Sequence, residues 1–296
     1  MKFEKRYCSP PELVTLLQKR GLLINNEEKA ESYLKNIGYY RLSAYFYPLL
    51  TLPKEDHRFK PNSTFQQVMQ IYRFDRKLRL IIFNEIEKIE IAIRCAIVNI
   101  TSQETKDPFW MANSLYFVNQ HRYSNTLSLI DKELKKSHED FIYHFKETYT
   151  DMYPPAWELS EILPLGVITE IYKNIKGKRT QKKIAQRFYL NIPVFESWIT
   201  LITLTRNSCC HHARIWNKEN AIKCLFMKRM QRPWVNHEIN SKRIFCNLCI
   251  IKYFVDIISP HNHFKQNLLN LFNNFTLIDK AAMGFPGNWE QEPLWL

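Results

Sequence analysis

The chain has 296 residues, of which 45% are hydrophobic, and it carries a formal net charge of +13. This length and apolar content allow a sizeable core, and the odd count of seven cysteines argues against a disulfide-based scaffold. The excess of positive charge predicts an acidic polymer as a binding partner.

Apolar residues recur at intervals of three and four more often than they alternate, and glycine is scarce. Both features predict an all-α fold. Pro48, Pro53 and Pro61 bracket a polar stretch, which predicts a small helical unit over residues 1–61 and a main helical bundle over residues 62–296. The first residues lack the apolar core of a secretory signal, so a cytoplasmic location is expected.

Aromatic and charged residues are interleaved in the N-terminal segment IGYYRLSAYFYP. Tyr39, Tyr40 and Arg41 could stack on the unpaired bases of RNA. Packing in a core is the commoner fate of tyrosines in such a cluster. Arg41 is explained less well by packing than the two rings are.

The spacing of apolar residues predicts a long helix from Phe65 to Ile100 and a buried helix within residues 241–258. The second of these is too short, and too charged at its start, to cross a membrane. Cys246 and Cys249 lie three positions apart within it. Core packing explains this pair better than zinc does, because structural zinc sites usually show two such ligand pairs. We therefore expect no cofactor.

A basic run lies between residues 173 and 187, with seven basic residues and no acidic one. The phosphates of a nucleic-acid backbone are the natural partner of such a run. The alternative is a solvated basic surface that only keeps the protein soluble. The predicted RNA-binding residues here are Lys173, Lys176, Lys178, Arg179, Lys182, Lys183 and Arg187.

The most informative motif is RNSCCHHARIWN, at residues 206–217. Four residues separate Arg206 from His211, and Asn207 directly follows the arginine. A histidine can take a proton from a ribose 2′-hydroxyl or return one to the leaving oxygen, while a guanidinium stabilises the charge that grows on the phosphate. The motif therefore suits cleavage of RNA without a metal.

The apolar spacing predicts a single helix over residues 196–217, which distinguishes the two histidines. His212 falls on the apolar stripe as a buried core residue, whereas His211 shares a polar face with Arg214. On a straight helix Arg206 and His211 are separated by about 140° around the axis and about 7.5 Å along it. A long arginine side chain, a distorted helix or a second protomer could bring them together, and the last option favours a two-fold homodimer.

The same interval separates Arg232 from His237. An arginine and a histidine at this spacing arise often by chance in a chain that is rich in both. Pro233 follows the arginine, and the surrounding residues predict a loop. We interpret this second copy as accidental.

The run LTRNSCCHHARIWN resembles the signature of the bacterial Abi family, the AbiD/AbiF-like abortive-infection proteins of the HEPN ribonuclease superfamily. Similar blocks follow the order of the family at residues 21–48, 71–94, 157–166 and 283–295. The resemblance therefore spans nearly the whole chain. The sequence departs from the family pattern at Pro164, and at Cys209 and Cys210, where small residues are more usual.

The resemblance implies a HEPN-like helical bundle with a C-terminal helical extension. It assigns catalysis to Arg206 and His211, with Asn207 as the polar residue that positions one of them. Beside this assignment, His212 and Arg214 are predicted as supporting residues because they lie in the same motif. The resemblance also suggests Glu161 as a carboxylate that orients the histidine or the arginine. A simple surface carboxylate is the alternative for Glu161.

The function implied by the resemblance is restriction of phage by cutting RNA. The expected reaction cleaves single-stranded RNA to 2′,3′-cyclic phosphate ends. Some relatives are encoded beside a small noncoding RNA that binds and restrains them, so a noncoding RNA is a candidate partner as well. The alternatives are a module that holds a structured noncoding RNA without cleaving it and a bundle with a purely structural role.

Overall fold

The computed structural model describes residues 2, 4 and 6–296. These residues form twelve α-helices and several short 3-10 turns, and their only β pairings are isolated bridges. The predicted all-α class is therefore confirmed. The helices are α1 (Pro10–Lys19), α2 (Glu27–Ile37), α3 (Tyr39–Phe46), α4 (Phe65–Thr105), α5 (Gln120–Lys136), α6 (Asp140–Thr148), α7 (Ala156–Ile162), α8 (Leu165–Asn174), α9 (Lys178–Gln186), α10 (Ile192–Cys210), α11 (Ile244–Ile258) and α12 (Phe264–Asn274).

The chain divides into two compact units. The first comprises Met1–Leu80 and Gln266–Asp279, and the second comprises Ile81–Lys265 and Lys280–Leu296. The division falls within α4 and not near Pro61. The polar stretch that precedes this proline folds as part of the first unit, where backbone hydrogen bonds close it into a loop.

A buried polar cluster joins α3 to the first part of α4 in the first unit. The hydroxyl of Tyr45 donates to Asp75 Oδ2 over 2.6 Å, and Arg79 pairs with the same carboxylate. Burial, followed by the charge of Asp75, raises the pKa of Tyr45 well above its ordinary value. The tyrosine therefore stays a hydrogen-bond donor, which the buried carboxylate needs.

In the second unit, α10 packs against α8, α9 and α11. Asn191 caps its first turn by accepting a hydrogen bond from the Val194 N–H over 3.0 Å. Pro193 fits this turn because the first N–H groups of a helix have no helical acceptor. Thr203 is bonded to Thr169 of α8 over 3.1 Å, so α10 is fixed by polar as well as apolar contacts.

The C-terminus of α10 is closed by its own backbone. His212 N–H donates to the Cys209 carbonyl over 3.0 Å, and Ala213 N–H donates to the Ser208 carbonyl over 2.9 Å. Together these bonds form a Schellman motif, in which the residue after the C-cap takes a left-handed conformation. His212 takes it here, with a φ of 54°.

This helix end corrects two predictions. The helix predicted over residues 196–217 ends at Cys210, because the Schellman motif forms without the glycine that usually marks it in a sequence. The apolar stripe therefore does not extend to His212. The side chain of His212 is exposed, whereas the longer helix would have buried it in the core.

A segment without helix or strand, residues 211–243, follows α10 and is anchored back onto it. Trp198 Nε1 donates to the Leu225 carbonyl over 2.8 Å, and the Leu225 N–H donates to Ser197 Oγ over 3.0 Å. The ring of Trp234 stacks on Trp198 at 5.0 Å. The segment is thus held at two points despite its lack of regular structure.

The cysteines of α11 lie in the core of the second unit. Cys246 and Cys249 are completely buried, in keeping with their interpretation as packing residues. No group of three or more histidine, cysteine or acidic side chains is placed to hold a metal ion in the part of the chain that the structure describes. None of the helices formed by the described residues combines the length and apolar character that a membrane span requires.

Candidate active site

Arg206 lies in the last part of α10 and faces a carboxylate of α4. Its Nε is 3.3 Å from Oε2 of Glu90. The alignment of this N–H does not satisfy a hydrogen bond, and within residues 6–296 the buried Nε has no other partner. The contact is therefore an ion pair held by charge. The arginine side chain is 30% exposed, so part of the guanidinium reaches the surface.

Glu90 is itself fixed by a second arginine. Its Oε1 accepts from Arg94 Nη2 over 3.0 Å, one turn further along α4. Arg94 Nη1 in turn donates to the Leu163 carbonyl, just after α7, over 2.9 Å. The carboxylate is largely buried between two guanidinium groups, so its charge is compensated and its position is defined. Arg94 thus positions Glu90, and Glu90 positions Arg206.

Glu90 is the site residue that the sequence analysis missed. The available signal was the spacing of Glu90 and Arg94, which share one face of a helix at four positions apart. That spacing is common on surface helices. Only the fold brings Arg206, from a helix far along the chain, to the same carboxylate.

Asn207 lies beside the guanidinium of Arg206. Its Oδ1 is 3.5 Å from Nη1 of Arg206, which is at the long limit of a hydrogen bond. Its carbonyl accepts the backbone N–H of His211 over 3.0 Å. Asn207 therefore contacts the arginine through its side chain and the histidine through its backbone.

His211 is the C-cap residue of α10, and its side chain is exposed. No hydrogen bond or ion pair joins its side chain to Arg206 in the described part of the chain. Because α10 remains helical up to Cys210, the expected separation of about 140° and about 7.5 Å still applies. One copy of the chain therefore does not bring the two side chains together.

The supporting residues are placed differently from what the sequence predicts. Glu161 is exposed on α7, and the carboxylate that pairs with Arg206 is that of Glu90. Arg214 lies beyond the end of α10, so it does not share a helical face with His211. It is partly buried in the segment that follows.

Four residues of the predicted basic run, Lys178, Arg179, Lys182 and Lys183, lie on α9, and the others lie on α8 or beside the ends of α9. Thr180, Gln181, Ile184 and Ala185 are buried, so the helix packs on one side and presents its basic side chains on the other. Glu104 pairs with Arg179 at 3.6 Å and with Lys183 at 2.5 Å. Lys173 is half-buried beside Glu170. The exposed residues of this basic surface are Lys176, Lys178, Arg179, Lys182, Lys183 and Arg187.

The N-terminal aromatic cluster is divided between core and surface. Tyr45 is buried in the first unit, as core packing predicts, but Tyr40 is 92% exposed. Tyr39 is half-buried, and its hydroxyl accepts a hydrogen bond from Arg20 over 2.9 Å. Arg41 is exposed. Packing therefore does not account for Tyr40.

The second arginine–histidine pair lies in the segment without helices, so the predicted loop is confirmed. The guanidinium of Arg232 lies 5.3 Å from the centre of the Tyr189 ring. His237 Nδ1 pairs with Glu292, whose Oε2 also accepts the Asn236 N–H over 2.6 Å. Each residue of this pair thus has a separate partner.

Together these features define an all-α protein in which an arginine–carboxylate cluster and an exposed histidine lie near the end of one helix. No curated protein and no solved structure matches the chain. The family described as Abi-like protein matches residues 32–217, a range that includes Glu90, Arg206 and His211. The chain belongs to this family. Its membership indicates a role in abortive-infection defence.

Proposed function

We propose that the protein is a metal-independent endoribonuclease of the HEPN type, of the AbiD/AbiF-like group, which cleaves single-stranded RNA during abortive infection. The observation that carries the proposal is the pairing of Arg206 with the largely buried Glu90, together with the exposure of His211 at the end of the same helix. A fixed guanidinium and an exposed imidazole are the groups that cleavage by internal attack needs.

The proposed reaction is a transesterification. The ribose 2′-oxygen attacks the adjacent phosphorus, and the bond from phosphorus to the 5′-oxygen breaks. His211 takes the proton of the 2′-hydroxyl, and an imidazolium or water returns a proton to the leaving 5′-oxygen. Arg206 stabilises the charge on the phosphorane, and Asn207 helps to position the guanidinium. The products carry a 2′,3′-cyclic phosphate and a 5′-hydroxyl.

We propose that the active unit is a homodimer, because one chain leaves Arg206 and His211 apart. A two-fold axis beside α10 would place the arginine of one protomer near the histidine of its partner. Support comes from apolar side chains that are exposed on α4 and α10, the two helices that carry Glu90 and Arg206. Ile91, which follows Glu90, is 60% exposed, and Phe83 and Leu204 are each 38% exposed. A second copy of the chain would cover such a surface.

Cleavage of end-labelled single-stranded RNA in EDTA tests the activity. Wild type and His211→Ala are compared after removal of copurified nucleic acid. Wild type alone is expected to give cyclic-phosphate ends, and RNA with 2′-O-methyl groups is expected to stay uncut because it lacks the attacking hydroxyl. Equal cleavage of DNA would contradict this mechanism, and so would equal cleavage by His211→Ala.

A mixture of two inactive variants tests the shared site. Arg206→Ala and His211→Ala are each expected to be inactive alone. After mixing and exchange of protomers, some dimers carry one intact arginine opposite one intact histidine, so cleavage is expected to exceed the sum of the separate variants. No recovery, in a mixture shown to contain heterodimers, would mean that each site is built within one protomer.

The second candidate function is an RNA-binding module that holds a structured noncoding RNA without cleaving it. The basic surface of α9 favours it, because this surface suits phosphate contacts and does not require Arg206 or His211. In this case wild type and His211→Ala bind RNA equally and neither produces ends. If the enzyme is restrained by such an RNA, cleavage by wild type is expected only after the RNA is removed.

A further inference from the structure

A groove of about 1290 Å³ lies in the first unit, within residues 6–59. It is bounded by α1, by the end of α2, by α3 and by the loop that follows α3. Its volume exceeds the roughly 300–1,000 Å³ of ordinary small-molecule pockets. The groove is therefore large enough for an extended ligand.

The floor of the groove is aromatic and fixed. Phe46 and Phe59 are buried, and their rings meet edge to face at 5.6 Å. The ring of Tyr39 lies against Phe46 at 5.8 Å. Gly38 contributes no side chain, and a Cβ at this position would meet nothing within 4 Å, so the entrance beside α3 is open.

The rim presents ring faces to water. Tyr40 is 92% exposed and Tyr47 is 58% exposed. Lys54 Nζ donates to the carbonyls of Tyr47 and Leu50 and lies 5.2 Å from the centre of the Tyr47 ring. The lysine is thus held over one face of a ring that belongs to a largely exposed side chain. Rings that are exposed in this way add nothing to the core, but they are the surfaces on which unpaired nucleobases stack.

The charge of the groove is complementary to phosphate. Among the residues that the structure describes, its lining includes Arg20, Lys35 and Lys54 and one carboxylate, that of Glu55. Arg20 also donates a hydrogen bond to the hydroxyl of Tyr39, so this cation is attached to the aromatic floor. An acidic peptide would satisfy the cations and leave the ring faces uncovered. Single-stranded RNA offers both phosphates and base faces, whereas the bases of a duplex are stacked and paired.

From this geometry we infer that the groove binds unpaired bases of single-stranded RNA, with Tyr40 and Tyr47 as stacking platforms and Arg20, Lys35 and Lys54 facing the backbone. The inference rests on RNA as the ligand of the proposed function. It adds a substrate-binding site in the first unit that is separate from the cleavage residues of the second.

Fluorescence anisotropy with an unstructured, fluorescein-labelled 2′-O-methyl oligoribonucleotide tests the inference. This probe cannot be cut by internal attack, so binding is measured apart from cleavage. Tyr40→Ala combined with Tyr47→Ala is expected to raise the Kd by about five- to 150-fold for each stack that is lost. Tyr40→Trp, which keeps an aromatic face, is expected to bind like wild type.

Tyr143→Ala is the matched control, because Tyr143 is 50% exposed on α6, outside the groove. It is expected to leave the Kd unchanged. Both tyrosines of the rim are exposed, so their replacement should leave the fold intact, which circular dichroism checks. An equal Kd for wild type and the double variant would overturn the inference. An equal loss in Tyr143→Ala would overturn it as well.

Photocrosslinking gives an independent readout. A probe with 5-bromouridine is expected to link to the peptides that contain Tyr40 or Tyr47. Links confined to α9 would overturn the groove as a binding site. If RNA binds in the groove but no substrate is cleaved in EDTA, the nuclease proposal is wrong and the inference that the groove binds RNA is upheld. If cleavage depends on His211 and the double variant binds RNA with the Kd of wild type, the inference about the groove is wrong and the nuclease proposal is upheld.

Discussion

The chain contains the same arginine–histidine spacing twice, and the two copies differ in what holds them. In the first copy, Arg206 is paired with a largely buried carboxylate and His211 is exposed at the end of a helix. In the second copy, Arg232 lies over a tyrosine ring and His237 is bound by the buried Glu292. The first arrangement fixes the cation and exposes the imidazole. In the second arrangement, the arginine and the histidine each contact a different structural partner.

The difference shows that spacing alone does not define this site. The informative residue is the carboxylate near each copy, Glu90 or Glu292, because it determines whether the arginine or the histidine is held by an ion pair. In the first copy Glu90 fixes the arginine, the group that must face a phosphate in the proposed reaction. In the second copy the carboxylate fixes the histidine, which links the segment after α10 to the C-terminal residues.

The largest expected effect is on cleavage by Arg206→Ala. Loss of a group that stabilises transition-state charge costs about 10²- to 10³-fold in rate. Arg232→Ala, which removes the arginine of the second copy, is expected to change the rate by less than about two-fold, because the contact of Arg232 is with the ring of Tyr189 and not with the proposed reacting groups. Single-turnover cleavage of labelled RNA measures both. Similar losses in the two variants would remove the distinction between the copies.

Glu90→Gln is expected to lower the free energy of unfolding by about 2 kcal/mol, because it leaves two guanidinium groups next to each other without their shared carboxylate. This is less than the loss for a completely buried pair, since Arg206 is partly exposed. Urea denaturation measures it. The matched control is Glu161→Gln on α7, where a change within about 0.5 kcal/mol is expected.

Cleavage by Glu90→Gln should fall as well, because Arg206 loses its positioning partner. Measuring both the free energy of unfolding and the cleavage rate of this variant distinguishes a positioning role of Glu90 from a merely structural one. A variant that loses stability and keeps the full rate at a temperature where it is folded would show that Glu90 does not position the arginine.

For the second copy, Glu292→Gln is expected to cost about 1–2 kcal/mol of stability, because a buried acceptor of a backbone N–H and of His237 loses its charge. The cleavage rate of the folded protein should not change. A loss of rate larger than about ten-fold, with the fold intact, would mean that the second copy takes part in catalysis after all.

The smallest effect is expected for His212→Gly. The left-handed conformation of this residue disfavours a side chain by roughly 1 kcal/mol, and glycine removes that cost. The released conformational cost is expected to offset the loss of the contacts that the imidazole makes, so the free energy of unfolding stays within about 1 kcal/mol of wild type while cleavage is unchanged. A large loss of cleavage would instead assign His212 to the reaction.

Two of the longer helices could be predicted from local sequence. The long helix expected from Phe65 to Ile100 is present as α4, and the buried helix expected within residues 241–258 is present as α11. Periodic apolar spacing is a local property, so a single sequence shows it. The end of α10 could not be found in this way, because its Schellman motif depends on backbone bonds and carries a histidine at the usual glycine position.

The candidate site was predictable only in part. Arg206, Asn207 and His211 lie in one continuous motif, so their chemistry together with the family resemblance singles them out. Glu90 is distant in the chain, and its pairing with Arg206 depends on how α4 and α10 pack. The exposure of Tyr40 could not be predicted either. Its aromatic neighbours in the sequence favour a buried ring, and the exposed ring is seen only in the fold.

The self-contained end of α10 has a consequence for how the chain can be modified. Because the backbone bonds of residues 207–213 close the helix, the position of His211 does not depend on the length of the segment that follows. Lys228 and Arg229 are exposed between the anchoring contacts of Leu225 and Trp234. A peptide tag or a reporter domain inserted between these two residues would leave the histidine in place, which makes this segment a site for labelling the protein.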